Sequence, residues 1–224
     1  EMSLNIEKKI TLVLRLFSRF FNKIIPEKFY WALRRKLLIL LIRVGYSNAA
    51  SRMDLMIVEL FNGMKGGFYI EAGAADGVDH SNTLLLEKKF NWTGLLVEPR
   101  KEAYLLCEKT RNKSIVENYV LTSFSSNKKT TKVSQNGLYS GVVVEEDTDL
   151  NSKYSIKPLE YFNSIYKETD APTEICNNIT LTELLEQHSI ENVDIMSLDV
   201  EGYEFEVLEG YDEKSKIINY LIVE

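Results

Sequence analysis

The chain has 224 residues, of which 45% are apolar, so it can bury a sizeable core and a wholly disordered chain is excluded. Its formal net charge of −6 is unevenly distributed: residues 1–52 carry 11 Lys and Arg against 3 Asp and Glu, whereas residues 53–224 carry 16 against 30. The acidic part argues against a nucleic-acid groove over residues 53–224, because phosphate binding requires clustered cations. We therefore predict a basic N-terminal region, residues 1–52, followed by one globular domain, residues 53–224.

The cysteines and the N-terminal sequence bear on the compartment. Cys107 and Cys176 are the two cysteines of the sequence, too few and too far apart to predict a disulfide framework or a zinc site. No signal-peptide pattern is present, and the longest apolar run near the N-terminus, residues 37–42, is far shorter than the roughly 20 residues of a spanning helix. We expect a cytoplasmic protein, either free or peripheral to a membrane.

Two basic amphipathic helices are predicted in residues 1–45. In the first, apolar residues recur every three or four positions up to Pro26, and a second apolar pattern ends at Gly45. The pattern of these helices supports two explanations equally. The helices pack on the domain or on a second subunit of a homo-oligomer, or they adsorb to an anionic membrane surface.

From residue 68 onward, short β-prone runs alternate with helical patterns. Strands are predicted at residues 68–70, 94–98, 114–121, 193–198 and 217–223. Helices are predicted around residues 84–86, at 100–110, after a Thr180 capping box, and at 203–211. Residues 122–178 are polar and predict a loop-rich insertion with one strand-like segment, residues 139–144. The alternation predicts an α/β fold with a mostly parallel, Rossmann-like sheet, whose ligands bind beyond the carboxyl ends of the strands.

The first of those strand ends carries a glycine-containing turn, Glu71–Gly77, and the second ends at Glu98, 21 residues after Gly77. Glycines allow a tight turn and close ligand approach, and a carboxylate at that spacing accepts hydrogen bonds from both hydroxyls of a ribose. The pair predicts an adenosine ligand. A dinucleotide turn has three glycines and carries a pyrophosphate, whereas the acidic Glu71 and Asp76 would repel one. These carboxylates suit the ammonium and sulfonium groups of S-adenosyl-L-methionine.

Two blocks of sequence resemble the FkbM-type methyltransferase domain. The first comprises residues 68–83 and 92–99, and the second comprises residues 181–185 and 194–202. The resemblance covers about residues 66–224. It implies S-adenosylmethionine-dependent O-methylation of a small-molecule or glycan acceptor, on a Rossmann-like sheet of strand order 3-2-1-4-5. Such domains usually add two more strands, so we expect the last strand here to present an exposed apolar edge. Either the sequence is truncated or another chain covers that edge.

The resemblance also implies roles for individual residues. Glu71, Gly73 and Gly77 would surround the methionine moiety, and Ala74, Asp76 and Ser81 are further cofactor-binding candidates. Glu98 would bind the ribose and Asn118 the adenine. The catalytic candidates, at the acceptor end, are Asp199 and Glu201, with Asp199 also beside the cofactor, and His80 as a possible general base.

Several candidates have a structural explanation as well. Glu71 could cap a helix, but an acid ending a buried strand without Lys or Arg nearby in sequence is costly to bury, which favours a functional role. Asp199 and Glu201 could cap the helix near residue 203, and Asn118 could be an ordinary strand-end asparagine.

For the function of the whole protein, the alternative is a methyltransferase-like binding module that docks a membrane or partner through residues 1–45. No metal site is predicted, because no ligand spacing supports one.

Overall fold

The computed structural model describes residues 47–49, 52–134, 141–142 and 172–223. The predicted N-terminal helices and most of the predicted insertion lie outside these residues. Within the described part of the chain, no helix is long and apolar enough to cross a membrane.

The described residues contain five helices and ten strands. The helices are α1 (Met53–Leu60), α2 (Leu84–Phe90), α3 (Lys101–Thr110), α4 (Leu181–Gln187) and α5 (Glu204–Glu209). The strands are β1 (Phe68–Ala72), β2 (Thr93–Val97), β3 (Ile115–Glu117), β4 (Val120–Thr122), β5 (Thr130–Ser134), β6 (Thr173–Thr180), β7 (Asn192–Val193), β8 (Ile195–Leu198), β9 (Ile217–Ile218) and β10 (Leu221–Val223).

The chain divides into two compact units. Of the described residues, the first unit comprises 47–49, 52–67 and 78–93, and the second comprises 68–77, 94–134, 141–142 and 172–223. In the first unit, the fully buried Trp92 donates a hydrogen bond from its Nε1 to the carbonyl oxygen of Met64 at 2.9 Å. Phe61 packs edge-on against it, with ring centroids 5.0 Å apart.

The second unit is built on a five-stranded sheet of order β10-β8-β1-β2-β3. Strand β8 pairs in parallel with both β1 and β10, and β2 pairs in parallel with β3. Since β8 and β10 are the predicted fourth and fifth strands, the order 3-2-1-4-5 is confirmed. The core contains apolar residues of these strands together with Leu181, Leu184 and Leu185 of α4. Within the described residues, β10 pairs with β8 alone, and Leu221 and Val223 are 43% and 50% exposed.

The prediction of three uninterrupted strands was wrong, because each is divided into two short strands that join different sheets. Residues 114–121 form β3 in the central sheet and β4 in a second sheet of order β4-β6-β5. Residues 193–198 and 217–223 likewise divide, and β7 pairs with β9 while β8 pairs with β10. At the first break, Asn118 binds backbone carbonyls of the neighbouring strand end. At the second, the Asp194 carboxylate accepts the backbone N–H of Phe68 at 2.8 Å, so a side chain replaces a ladder bond there.

The described ends of the predicted insertion carry paired strands. β5 pairs antiparallel with β6, which pairs in parallel with β4. Beyond β5, Val142 forms an isolated antiparallel bridge with Val133. Their side chains pack with Val120, Cys176 and the partly buried Tyr203 in a small second core.

The helix that follows β6 begins as the sequence predicts. The Thr180 hydroxyl accepts the backbone N–H of Glu183 at 3.1 Å, and the Glu183 carboxylate accepts from the Thr180 backbone N–H at 3.0 Å. This reciprocal pair is a capping box, which satisfies amide groups that the first turn of a helix leaves open. The predicted helices at 100–110 and 203–211 are also confirmed, as α3 and α5.

Candidate active site

The turn after β1 is held against the carboxyl ends of β2 and β8. The backbone N–H groups of Gly73 and Ala74 donate to the carbonyl oxygen of Val97 at 3.0 and 3.1 Å. On the other side, the Asp199 N–H donates to the Ala72 carbonyl at 3.1 Å. Gly73 has φ +84°, and a Cβ at this position would overlap the carbonyl oxygen of Asp199. Glycine is therefore required here, and three strand ends meet at the turn.

The far end of the turn rests on the last residues of α3. Gly77 has φ +76°, and a Cβ there would lie 2.7 Å from both Arg111 Cγ and Cys107 Sγ. The Thr110 hydroxyl donates to the carbonyl oxygen of Asp76 at 2.9 Å, while Asp76 itself is partly exposed. Burial raises the pKa of the Cys107 thiol to about 12, so the sulfur beneath the turn is neutral at physiological pH.

Glu98 follows the last residue of β2 and is 3% exposed. Its Oε2 accepts the backbone N–H of Ala75, inside the turn, at 2.8 Å. Its Oε1 accepts from the backbone N–H of Arg100 at 3.0 Å and from the Arg100 Nε at 2.9 Å. The carboxylate is thus buried, held in one orientation by three donors, and directed at the glycine-containing turn.

Glu71, at the end of β1, is paired with an arginine that sequence reasoning missed. Its Oε2 lies 3.2 Å from Nη1 of Arg111, a residue with no exposed surface. The same Nη1 donates to the Gly77 carbonyl at 3.1 Å, and Nη2 donates to the Tyr69 hydroxyl at 2.7 Å. That hydroxyl is 2.6 Å from the hydroxyl of Ser114. Glu71 therefore has a buried cationic partner 40 residues away, and no local sequence pattern could have indicated it.

Asn118 lies in the break between β3 and β4, next to Glu98. Its Nδ2 donates to the backbone carbonyls of Glu98 at 2.9 Å and of Pro99 at 2.6 Å. The Pro99 carbonyl also accepts from Cys176 Sγ at 3.1 Å. The side chain of Asn118 thus ties the end of β2 to the start of β4.

Asp199 directly follows β8 and is partly buried. The helix after it, α5, has Tyr203 as its N-cap residue, not Asp199. The loop between them is closed by Glu204, whose Oε1 accepts the backbone N–H groups of Val200 at 3.1 Å and Gly202 at 3.0 Å. Glu204 therefore binds the backbone N–H groups of Val200 and Gly202, which lie in the loop before α5.

Glu201 is exposed and has a left-handed backbone, with φ +55°. Gly141 of the predicted insertion lies beside it, because a Cβ on Gly141 would be 3.4 Å from the Glu201 carbonyl oxygen. Gly141 is held by Ser134, whose backbone N–H donates to its carbonyl at 3.0 Å and whose Oγ accepts its N–H at 3.1 Å. The insertion thus reaches the strand end that carries the acids.

His80 and Ser81 belong to the first compact unit. His80 is exposed and has φ +61°. Ser81 is 3% exposed, and its Oγ accepts the backbone N–H groups of Thr83 at 3.3 Å and Leu84 at 3.1 Å, at the start of α2. The other predicted site residues belong to the second unit, at the carboxyl ends of its strands; they are Glu71, Gly73, Ala74, Asp76, Gly77, Glu98, Asn118, Asp199 and Glu201. Among the described residues, no group of three or more His, Cys, Asp or Glu side chains could hold a metal ion.

A comparison with known families agrees with this arrangement. The family model described as the methyltransferase FkbM domain matches residues 71–224. This range contains the glycine-containing turn, Glu98, Asp199 and the five strands of the central sheet except the start of β1. The chain belongs to the FkbM methyltransferase family. It is accordingly a methyltransferase, on the Rossmann-like sheet of that class. No curated protein and no solved structure matches the chain.

Proposed function

We propose that this FkbM methyltransferase uses S-adenosyl-L-methionine to methylate a hydroxyl oxygen on a sugar or another small metabolite. The observation that carries the proposal is the buried Glu98 carboxylate, directed at the glycine-containing turn from the end of the adjacent strand. A carboxylate in this position can accept hydrogen bonds from the two hydroxyls of a ribose.

The donors and acceptors at the turn suit this cofactor. The turn begins at the buried Glu71 carboxylate, contains Asp76 and is followed at the next strand end by Glu98. Arg111 offsets the charge of Glu71 and Arg100 that of Glu98, so these two carboxylates act as hydrogen-bond acceptors for an ammonium group and a ribose, and the additional carboxylate of Asp76 opposes the pyrophosphate of a dinucleotide. In our proposal Glu98 holds the ribose, Asn118 lies at the adenine, and Glu71 with the turn 73–77 holds the methionine end.

When bound, S-adenosylmethionine supplies a methyl group activated by a sulfonium sulfur. The chain's own contribution is to orient the acceptor hydroxyl and to receive its hydrogen bond or proton, because a neutral alcohol is a weak nucleophile. Asp199 is our candidate for this role, with Glu201 in support. Gly141 lies beside Glu201, so the insertion would form part of the acceptor's surroundings.

The cofactor assignment is tested by calorimetric titration of the protein with S-adenosylhomocysteine and, separately, with NAD. We expect S-adenosylhomocysteine to bind and NAD not to bind. Glu98→Gln removes a charged acceptor and should weaken S-adenosylhomocysteine binding by about 1.5–3 kcal/mol, or roughly 10- to 150-fold. Glu102→Gln, on the exposed side of α3, is the matched control and should bind as the wild type does.

Four results would contradict the proposal in different ways. Absence of S-adenosylhomocysteine binding to the wild type would refute the cofactor, and NAD binding would favour an oxidoreductase. Unchanged affinity in a folded Glu98→Gln variant would remove Glu98 from the site. The acceptor is then identified by mass spectrometry of the products formed from a panel of glycans and metabolites. If only compounds without a hydroxyl group gain the mass of a methyl group, methylation of a hydroxyl oxygen is refuted.

A further inference from the structure

Arg111 touches the glycine-containing turn at both of its ends. Through Nη1 it contacts Glu71 Oε2 at 3.2 Å, where the turn begins, and the Gly77 carbonyl oxygen at 3.1 Å, where the turn ends. Its aliphatic stem also lies against Gly77, since a Cβ there would be 2.7 Å from Arg111 Cγ. The Arg111 side chain thus contacts both ends of the turn and links them to each other.

The guanidinium itself is held in a single position. Its Nη2 donates to the Tyr69 hydroxyl at 2.7 Å, and its Cζ lies 5.5 Å from the centroid of the Tyr69 ring. Tyr69 is fully buried and its hydroxyl is 2.6 Å from that of Ser114. A planar guanidinium can hold several acceptors at fixed angles, which a lysine ammonium on a flexible stem cannot do. Because Arg111 has no exposed surface, its charge is balanced within the protein, by Glu71.

The residues that we assign to the adenosine are held by other partners. Glu98 is oriented by Ala75 and Arg100, and Asn118 by two backbone carbonyls. Arg111 therefore acts on the part of the site that begins at Glu71, which in our proposed function receives the amino-acid end of the cofactor.

We propose that Arg111 is a positioning residue that sets the turn 71–77 and the Glu71 carboxylate for the methionine end of the cofactor, without touching the cofactor itself. The inference rests on the proposed function for its ligand. It predicts a selective defect: a variant of Arg111 loses affinity for ligands that carry the amino-acid tail and keeps its affinity for ligands that lack it.

The test compares two ligands by calorimetric titration: S-adenosylhomocysteine, which has the tail, and 5′-methylthioadenosine, which has the adenosine and sulfur without it. For Arg111→Lys we expect the affinity for S-adenosylhomocysteine to fall roughly 10- to 100-fold and that for methylthioadenosine to change by less than about threefold. Lys109→Met, an exposed cation on the last turn of α3, is the control and should change neither affinity. A residue needed only for general stability would alter the melting temperature without changing the ratio of the two affinities.

Tyr69→Phe provides a milder second variant, because it removes the Nη2 acceptor and keeps the buried ring. We expect it to weaken S-adenosylhomocysteine binding by roughly two- to tenfold, again sparing methylthioadenosine. Parallel losses for both ligands in Arg111→Lys would overturn the proposal and leave the proposed function intact. If Arg111→Lys does not fold, unchanged S-adenosylhomocysteine affinity in Tyr69→Phe overturns it. Failure of the wild type to bind either ligand would instead refute the proposed function, and this inference with it.

Discussion

Replacing Gly73 by alanine tests the contact between the turn and the end of β8, and its cost can be separated into two parts. The first is conformational. Gly73 has φ +84°, and an L-residue in left-handed backbone costs about 1–2 kcal/mol. The second is steric, because the new Cβ would overlap the backbone carbonyl oxygen of Asp199, which cannot rotate away as a side chain could.

Relief of that overlap requires the turn and the strand end to separate. The hydrogen bond from the Asp199 N–H to the Ala72 carbonyl, 3.1 Å long, would be lost, and leaving such groups unsatisfied costs about 1–3 kcal/mol. We therefore expect Gly73→Ala to lower the free energy of unfolding by about 2–5 kcal/mol.

Gly202→Ala is the matched control. Gly202 has φ +91°, and within the described part of the chain no atom beyond its sequence neighbours lies within 4 Å of a Cβ built on it, so this variant carries the conformational cost alone, about 1–2 kcal/mol. Urea denaturation of both variants gives the difference, which we expect to be about 1–3 kcal/mol in favour of Gly202→Ala. Thermal midpoints should follow, at roughly 2–4 °C per kcal/mol for a chain of this size. Equal destabilisation by the two substitutions would refute the close approach of turn and strand end.

Two further predictions concern the acceptor end and a helix start. Asp199→Asn, a change to a side chain of nearly the same size, should keep S-adenosylhomocysteine affinity within a few-fold. Methyl transfer to the identified acceptor should slow roughly 10²- to 10⁴-fold, the range typical of a lost general base. Wild-type turnover would remove Asp199 from catalysis, since Glu204 keeps the loop amides bound in either case. Thr180→Ala should destabilise the fold by about 0.5–2 kcal/mol at pH 7 in urea denaturation, as lost helix caps do. The hydrogen bonds from Thr180 lower the pKa of Glu183, so the contribution of the carboxylate to the cap is complete above the ordinary glutamate pKa, about 4.3, and is lost as the pH falls through the lowered pKa. The difference between wild type and Thr180→Ala should therefore shrink in acid, and a constant difference down to pH 2 would contradict the role of the Glu183 carboxylate.

The two buried acids at the site are stabilised in different ways. Glu98 has the partly buried Arg100, two residues along the chain, together with two backbone N–H groups. Glu71 has Arg111, which is fully buried. Removing one partner of a buried charge pair leaves the other uncompensated, which is more costly than losing a partly exposed pair. The methionine end of the proposed site therefore depends more strongly on its arginine than the ribose end does.

Features that depend on local spacing could be predicted before the fold was known. Alternating apolar runs predicted the strands and helices and, with the resemblance of two sequence blocks, the sheet order, because parallel strands joined by helices admit few topologies. The capping box at Thr180 and Glu183 was predicted because its partners are three residues apart. The turn and Glu98 were found in the same way, from glycine spacing and from a carboxylate at the next strand end.

Only the tertiary structure decided the contacts between residues that are distant in the chain. Arg111 lies 40 residues from Glu71, and Asp194 is 126 residues from the Phe68 N–H that it binds. Asp194 lies where residues 193–198 divide between two sheets, and its carboxylate takes the place of a backbone acceptor there. The overlap that makes Gly73 obligatory likewise involves the carbonyl of Asp199, a residue that follows another strand. Periodicity records which face of an element is buried, whereas the partner across the core is set by how the crossovers bring the strand ends together.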